Sequence, residues 1–478
     1  MNGRVEPMKK VRQRSGRGRG ILPIALLLMF SGVQGGCDGG ASGGSPSFEN
    51  RPLGSLADIP TLADRDDLNV LFIVIDTLRS DRLSSYGYER ITSPTLDYVA
   101  ATGIRFDQNR SQSSWTKTSM ASLWTSLYPQ RTDVLTYKDA VSSEARMPAE
   151  VFADAGFYAA GIWRNGWVAP NFGFDQGFDI YMTPKAQQAP KAMRVKPVAG
   201  RINGTDIDAV YSATEFIRSN QDRPFFLYVH LMDVHQYVST AETAVFGTTY
   251  SDAYDNSVLW EDQQVGEILA ALYRLDMAKK TVVVIVSDHG EAFGEHGAEG
   301  HARDIHTEVT TTPFIVGLPF RLDQGAVVLH PTQNLDVFPT LYELLGMEEP
   351  ELTDGKSRVR WLLGDHTPDY PDRDYSHLDR SWGKASEGSD PIVAIRDGGY
   401  RIIHVVNAPE RDRLYDVKSD EGEFKDIASS TPGVLKSMRS TAEQYLQLES
   451  PWAGGAPEIE LDEMSLRQLR ALGYSIED

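Results

Sequence analysis

Residues 69–75, Asn-Val-Leu-Phe-Ile-Val-Ile, form a short β-branched apolar run that ends on Asp76. A run hydrophobic on both faces is a strand covered on two sides, the environment of strands in mostly parallel sheets. Thr281-Val-Val-Val-Ile-Val286 repeats the pattern and ends on Ser287-Asp288-His289-Gly290. Phe225-Phe-Leu-Tyr-Val229 runs into His230-Leu-Met-Asp233-Val-His235, and Phe314-Ile-Val316 is shorter. Helical patterns lie between the runs, at 209–219 and 257–275. This alternation predicts a doubly wound α/β domain over about 66–365, its mostly parallel sheet flanked by helices. After Asp365 come the short runs Pro391–Ile395, Tyr400–His404 and Arg413–Asp416, with a turn at Asp397-Gly398-Gly399. They predict a small antiparallel subdomain over 366–478, finished by a helix from Asp462 to Leu472 and capped by Gly473.

Composition narrows the function classes. A formal net charge of −20 opposes binding to nucleic acid. The one cysteine, Cys37, rules out a disulfide framework and a cysteine zinc site. Residues 1–36 carry a basic start, the apolar run Ile21–Phe30 and a small-residue stretch, which together make a secretory signal. The apolar run is too short to span a bilayer comfortably. Cys37 follows directly, and residues 38–48 are a Gly/Ser tether within the linking stretch 37–65. The arrangement resembles a bacterial lipoprotein signal, although Gln34 stands where such signals usually carry an aliphatic residue. It implies export to the cell envelope and attachment to a membrane, on its periplasmic face, through a lipidated Cys37. Ordinary cleavage, with Cys37 incidental, is the alternative.

In open α/β sheets, ligands bind outside the carboxyl ends of the strands. One Asp after a strand is usually a turn or helix-capping residue. Here several apolar strands deliver Asp76, Asp288, His289 and the 230–235 segment to one edge. Carboxylates with imidazole suit a divalent cation, and Ca²⁺, Mg²⁺, Mn²⁺ and Zn²⁺ all remain open, as does a second ion near Asp233 and His235.

Three segments in order, Asn69–Asp81, Ser114–Pro129 and Asp288–Gly297, resemble the sulfatase family of the alkaline phosphatase superfamily. Phe172–Phe178, Leu335–Leu341 and Leu414–Val417 also fall in family order. The resemblance implies a metal-dependent ester hydrolase with the nucleophile slot at Thr116. Sulfatases carry Cys/Ser-x-Pro-x-Arg there, with the Cys or Ser converted to formylglycine. This chain has Thr116, Thr118 and Met120 in those slots, and threonine cannot become formylglycine. The family's Gly-Lys-x-His falls on Trp163-Arg164-Asn165-Gly166, which lacks the histidine and keeps a cation in Arg164. Thr77 replaces the second Asp of the usual pair.

These departures point to phosphorus rather than sulfur. The expected ligands are Asp76, Thr116, Asp288 and His289, which would lower the hydroxyl pKa and orient Thr116 for in-line attack. Lys117, Arg164 and Ser119 are expected to bind oxyanions, and His235 or His301 to protonate the leaving alkoxide. Ser119 is the alternative nucleophile if the register is off by three. The expected substrate is a small-molecule, lipid or glycan ester of phosphate, most simply a diester. Sulfate- or phosphonate-ester hydrolysis, and a catalytically silent envelope-binding lipoprotein, are the alternatives. The loops 183–206 and 236–252 set the substrate and contain no readable code.

Overall fold

The computed structural model describes residues 50–199, 205–365, 367, 373–383, 388–461 and 463–471. The signal segment, Cys37, the Gly/Ser tether and Gly473 lie outside the described residues. The central sheet has eight strands: β1 (Asn69–Ile75), β2 (Ile104–Arg110), β3 (Tyr158–Ile162), β4 (Ile180–Met182), β5 (Phe225–Leu231), β6 (Thr281–Val286), β7 (Thr311–Gly317) and β8 (Ala326–Gln333). Their spatial order is β8-β2-β7-β6-β1-β5-β3-β4. Neighbours pair in parallel except at β7, which is antiparallel to both β2 and β6. The loops after β6 stay at its carboxyl edge and feed straight into β7, so that strand must run back.

Alternation along β1 serves two cores. Val70, Phe72 and Val74 face one, and Leu71, Ile73 and Ile75 face the other. Helices α1 (Pro94–Thr102), α3 (Asp206–Ser219) and α4 (Tyr250–Arg274) cover the Ile73 side, contributing Val99, Val210, Ile217 and Val258. Helices α2 (Thr116–Thr125) and α5 (Val337–Leu344) cover the Phe72 side with Met120, Leu123, Trp124 and Phe338. Phe72 stacks on Phe338 at 4.8 Å between ring centres. Truncating a buried aromatic like this to alanine costs about 3–5 kcal/mol.

Two boundaries differ from the sequence reading in ways that matter. β5 continues to Leu231, so His230 lies inside a fully buried strand. α4 begins at Tyr250 because Thr249 and Asp252 cap each other's backbone there.

The C-terminal sheet is an antiparallel meander of β9 (Arg373–Asp379), β10 (Pro391–Asp397), β11 (Tyr400–Val405) and β12 (Arg413–Asp416). Helix α6 (Pro432–Tyr445) packs Met438, Ala442 and Tyr445 against Val393, Ile395, Ile402 and Leu414. The edge strand β9 is tied to the segment that leads into α2. Ser376 Oγ donates to the Ser111 carbonyl at 2.8 Å, and His377 N to that of Gln112 at 2.8 Å. Just beyond, Trp382 stacks on Trp115 at 4.6 Å. Among the described residues, no helix is long and apolar enough to cross a membrane.

Candidate active site

β6, β1 and β5 lie side by side, and their carboxyl ends build the site. Asp76 leaves β1 with its N–H on the Leu231 carbonyl at 3.0 Å. Thr77 then turns with φ +62°, a conformation that β-branched residues rarely adopt. The turn aims its N–H at Asp288 Oδ1, 3.2 Å away, and Tyr254 OH holds its carbonyl at 2.7 Å. Thr77 thus replaces the family's second Asp with a backbone donor. Asp288 Oδ1 also accepts from His289 N at 3.0 Å. Asp76 Oδ2 accepts from Asn165 Nδ2 at 2.7 Å and His230 Nε2 at 3.1 Å, with Tyr228 OH 2.7 Å from His230 Nδ1.

Each carboxylate keeps one oxygen in reserve. Asp76 Oδ1 and Asp288 Oδ2 are buried and accept no hydrogen bond from the described residues. Burial raises the Asp76 pKa, but the His230 hydrogen bond and the nearby His235, His230 and His289 rings outweigh it and hold the group below the usual carboxylate range. Burial, followed by the charge on Asp76, pushes Asp288 up. Two buried acids with unsatisfied oxygens are costly unless a cation joins them. Asp76, His230 and Asp288 offer ligand atoms within 4.8 Å of one another, and His289 Nε2 lies 3.4 Å from Asp288 Oδ2. These residues fit a divalent cation.

Thr116 opens α2 directly beside them. Its Oγ1 is 3.2 Å from His289 Nε2 and 3.3 Å from Asn165 Nδ2. His289 Nδ1 faces the Gly290 carbonyl at 2.9 Å. A carbonyl only accepts, so Nδ1 carries the proton and Nε2 turns its lone pair to the threonine hydroxyl. Ser119 Oγ instead donates to the Asp288 carbonyl at 2.5 Å, which makes it a fastener of the site. His301 reaches the same place, its ring centre 4.6 Å from His289 and 5.0 Å from His235. Burial lowers the His235 pKa to about 4, despite Asp76. Burial also disfavours charged His301, but the charge and hydrogen bond of Glu291 outweigh it and raise that pKa.

Two expectations need correction. Lys117 was expected to bind an oxyanion, but its Nζ donates to the carbonyls of Tyr137 and Asp139, at 2.9 and 2.6 Å. It lies 4.1 Å from the ring centre of Phe172, and burial drives its pKa well down. The amino group is engaged in fixing α2 to the 137–139 loop. Arg164 was expected to face the substrate, but it bridges Asp206 and Asp233 at 2.7 Å each and donates to Gln236. Asp206, Asp233 and Glu261 cluster within 4.8 Å, where a second ion remained open. The guanidinium supplies positive charge at that place.

A model of the sulfatase family matches residues 68–347, well over half the chain. The chain belongs to the sulfatase family of the alkaline phosphatase superfamily. A second model, the C-terminal part of N-sulphoglucosamine sulphohydrolase, matches residues 294–447. The sulfatase-family chain is 23% identical to an N-acetylgalactosamine-6-O-sulfatase of Bacteroides thetaiotaomicron, over 78% of this chain and 92% of that one. It is 25% identical to a choline-sulfatase of Rhizobium meliloti, over 78% of this chain and 85% of that one. Among solved structures it resembles the phosphonate monoester hydrolase of Agrobacterium radiobacter, with a TM-score of 0.65, 18% identity, and coverage of 79% of this chain and 95% of that one. The chain is a sulfatase-like hydrolase, in a family whose members typically use a divalent metal.

Sequence reasoning missed Asn165 and His230 as site residues of this sulfatase-family member. Asn165 sat beside Arg164, whose charge drew the attention. His230 followed the apolar run, and its signal was an imidazole in a strand adjacent to the one carrying Asp76.

Proposed function

We propose that this protein is a metal-dependent hydrolase of phosphate esters, best suited to diesters, with Thr116 as the nucleophile. The observation that carries this reading is the 3.2 Å contact between Thr116 Oγ1 and the lone pair on His289 Nε2, beside the two unsatisfied carboxylate oxygens. A hydroxyl is a weak nucleophile at its free pKa. A divalent cation held by Asp76 and Asp288 would lower that pKa and polarise the ester. Thr116 Oγ1 gives its proton to His289 Nε2 and attacks phosphorus in line; the Oγ–P bond forms, the ester P–O bond breaks, and the leaving oxygen takes a proton from His235 or His301. Asn165, with its two amide hydrogens on Asp76 and Thr116, holds the attacking oxygen beside the carboxylate. Water then cleaves the phosphothreonine.

Charge supports a monoanionic substrate. Lys117 and Arg164 are engaged with carbonyls and carboxylates, so the donors grouped at Thr116 are an amide and imidazoles. A phosphate diester carries one negative charge where a monoester carries up to two. A phosphonate monoester, named in one fold relative, and a sulfate monoester, named in the sequence relatives, are also monoanions. The nucleophile argues between them, because threonine cannot supply the formylglycine on which sulfatases rely.

The test is a panel of chromogenic phosphate mono- and diesters, phosphonate esters and sulfate esters, with acid quench during turnover. Phosphate diesters should be cleaved fastest, and a phosphoryl group should be trapped on Thr116. A sulfate monoester that outpaces every phosphorus ester would overturn the reading. Protein that takes up no divalent ion and stays inert toward the whole panel when such ions are supplied would favour the silent binder.

A further inference from the structure

Glu291 has no role in the reaction described so far, yet it is fully inside the site. It sits two residues past His289, is 2% exposed, and its Oε2 is 3.1 Å from His301 Nδ1. The backbone around His301 is set with equal care. Gly300 has φ +85° and Ala302 φ +57°, so the histidine is held between two left-handed residues. For alanine that conformation is strained and needs outside support. The support is present, since Ala302 N donates to the Ser114 carbonyl at 2.8 Å and Trp382 Nε1 donates to the Ala302 carbonyl at 3.1 Å. Ser114 is two residues before the nucleophile. His301 is therefore gauged from the same segment that presents Thr116. With Nδ1 fixed on Glu291, the opposite nitrogen, Nε2, has a defined direction.

We infer that Glu291 is a positioning residue that selects His301, rather than His235, as the partner of the leaving group. This deepens the reading of the site as an ester hydrolase and rests on it. As the ester P–O bond breaks, His301 Nε2 gives its proton to the departing oxygen, so the alcohol leaves neutral. His301 then takes a proton from the water that attacks the phosphothreonine, and returns to its starting state. Glu291 exchanges no proton in either step. It keeps the ring turned so that Nε2 meets the leaving oxygen.

A leaving-group series separates this from a structural role. A para-nitrophenoxide leaves without a proton, whereas an alkoxide needs one. General acids contribute about 10²–10⁴-fold, so in the pre-steady-state burst, which reads cleavage of the ester bond alone, Glu291→Ala should slow leaving-group release from an alkyl ester by about 100-fold and from the para-nitrophenyl ester by less than about 3-fold. His301→Ala should show the same split. Glu291→Gln keeps an acceptor for Nδ1–H and should recover most of the alkyl rate; it also serves if the alanine variant does not fold. His235→Ala should affect both esters alike. The series is read on whichever ester class the wild type turns over, so a preference for sulfate would sink the phosphate reading and leave this one standing. Equal losses on both leaving groups in Glu291→Ala, or a split that follows His235, would overturn it. A wild type inert on every ester overturns both.

Discussion

Asp76 and Asp288 offer ligand atoms within 4.8 Å of one another, and each keeps one buried carboxylate oxygen that accepts no hydrogen bond from the described residues. Their other oxygens are fully used, by Asn165 and His230 on one side and by backbone N–H groups on the other. Half of each acid is satisfied by the protein, and the other half suits a cation. Asp288→Asn should therefore reduce metal content to well below one ion per chain while the protein stays folded. Chelation of the wild type should abolish turnover, and a divalent ion should restore it. Full activity after exhaustive chelation, with no metal by elemental analysis, contradicts this.

Thr116→Ala removes the attacking oxygen and leaves both carboxylates and the imidazoles in place. Metal content should stay near wild type, while turnover falls by several orders of magnitude. Ser119→Ala should have a smaller effect, because that hydroxyl fastens the Asp288 carbonyl. Near-normal rates in Thr116→Ala, measured on the preferred ester, would count against the mechanism.

Lys117→Met tests where that charge acts. Removing Nζ leaves the buried carbonyls of Tyr137 and Asp139 without this donor, at a cost of about 1–3 kcal/mol each. The expected result is a clearly lower melting temperature with metal binding retained. A variant as stable as wild type but slower by orders of magnitude would return Lys117 to the role of oxyanion donor.

His377 makes stability depend on acid. Burial lowers its pKa to about 4, only partly offset by Asp379. An unfolded histidine titrates near 6.5, so the native state holds the neutral ring and the unfolded state takes the proton first. The associated stability is present above pH ~6.5 and is lost as pH falls through about 4, amounting to about 3 kcal/mol in full. Denaturant titrations between those pH values should show a shallower decline for His377→Gln than for wild type. Parallel curves for the two proteins would remove His377 as the cause.

Cys37 lies outside the described residues, and its role as an anchor is a proposal from sequence. Cys37→Ser in the full-length chain should move the protein from the membrane fraction to the soluble one. Mass spectrometry of the wild type should find an acylated Cys37 at the new N-terminus. Wild-type protein that is soluble and unacylated rules the anchor out.

The parts of this molecule legible in its sequence are those governed by local pattern. A strand apolar on both faces announces a two-sided core, and β1 and β6 stand where their sequences put them. Asp76, Asp288 and His289 were readable because each follows such a strand. The direction of a long side chain was not readable. Lys117 adjoins Thr116 in sequence, yet in a helix the next residue points about 100° away, here among the rings of Trp115, Trp167 and Phe172. Arg164 kept the charge expected of its slot, but two acids from elsewhere in the chain claimed it. Asn165 was hidden because an amide has no distinctive pattern until its partners are known. β9 was missed because its polar residues are satisfied by the segment before α2, a contact between distant parts of the chain.

That same contact has a consequence in time. Ser376 grips Ser111 across 265 positions of sequence, and Trp382 closes over Trp115 at the threshold of α2. During synthesis the ribosome delivers Thr116 early and its brace late. For most of its life as a nascent chain, the protein carries the Thr116 hydroxyl on a helix not yet seated against that brace. The last fifth of translation is therefore when the candidate site becomes complete, and a chain stopped before β9 would contain the expected ligands and Thr116 without the wall packed against the segment that leads into α2.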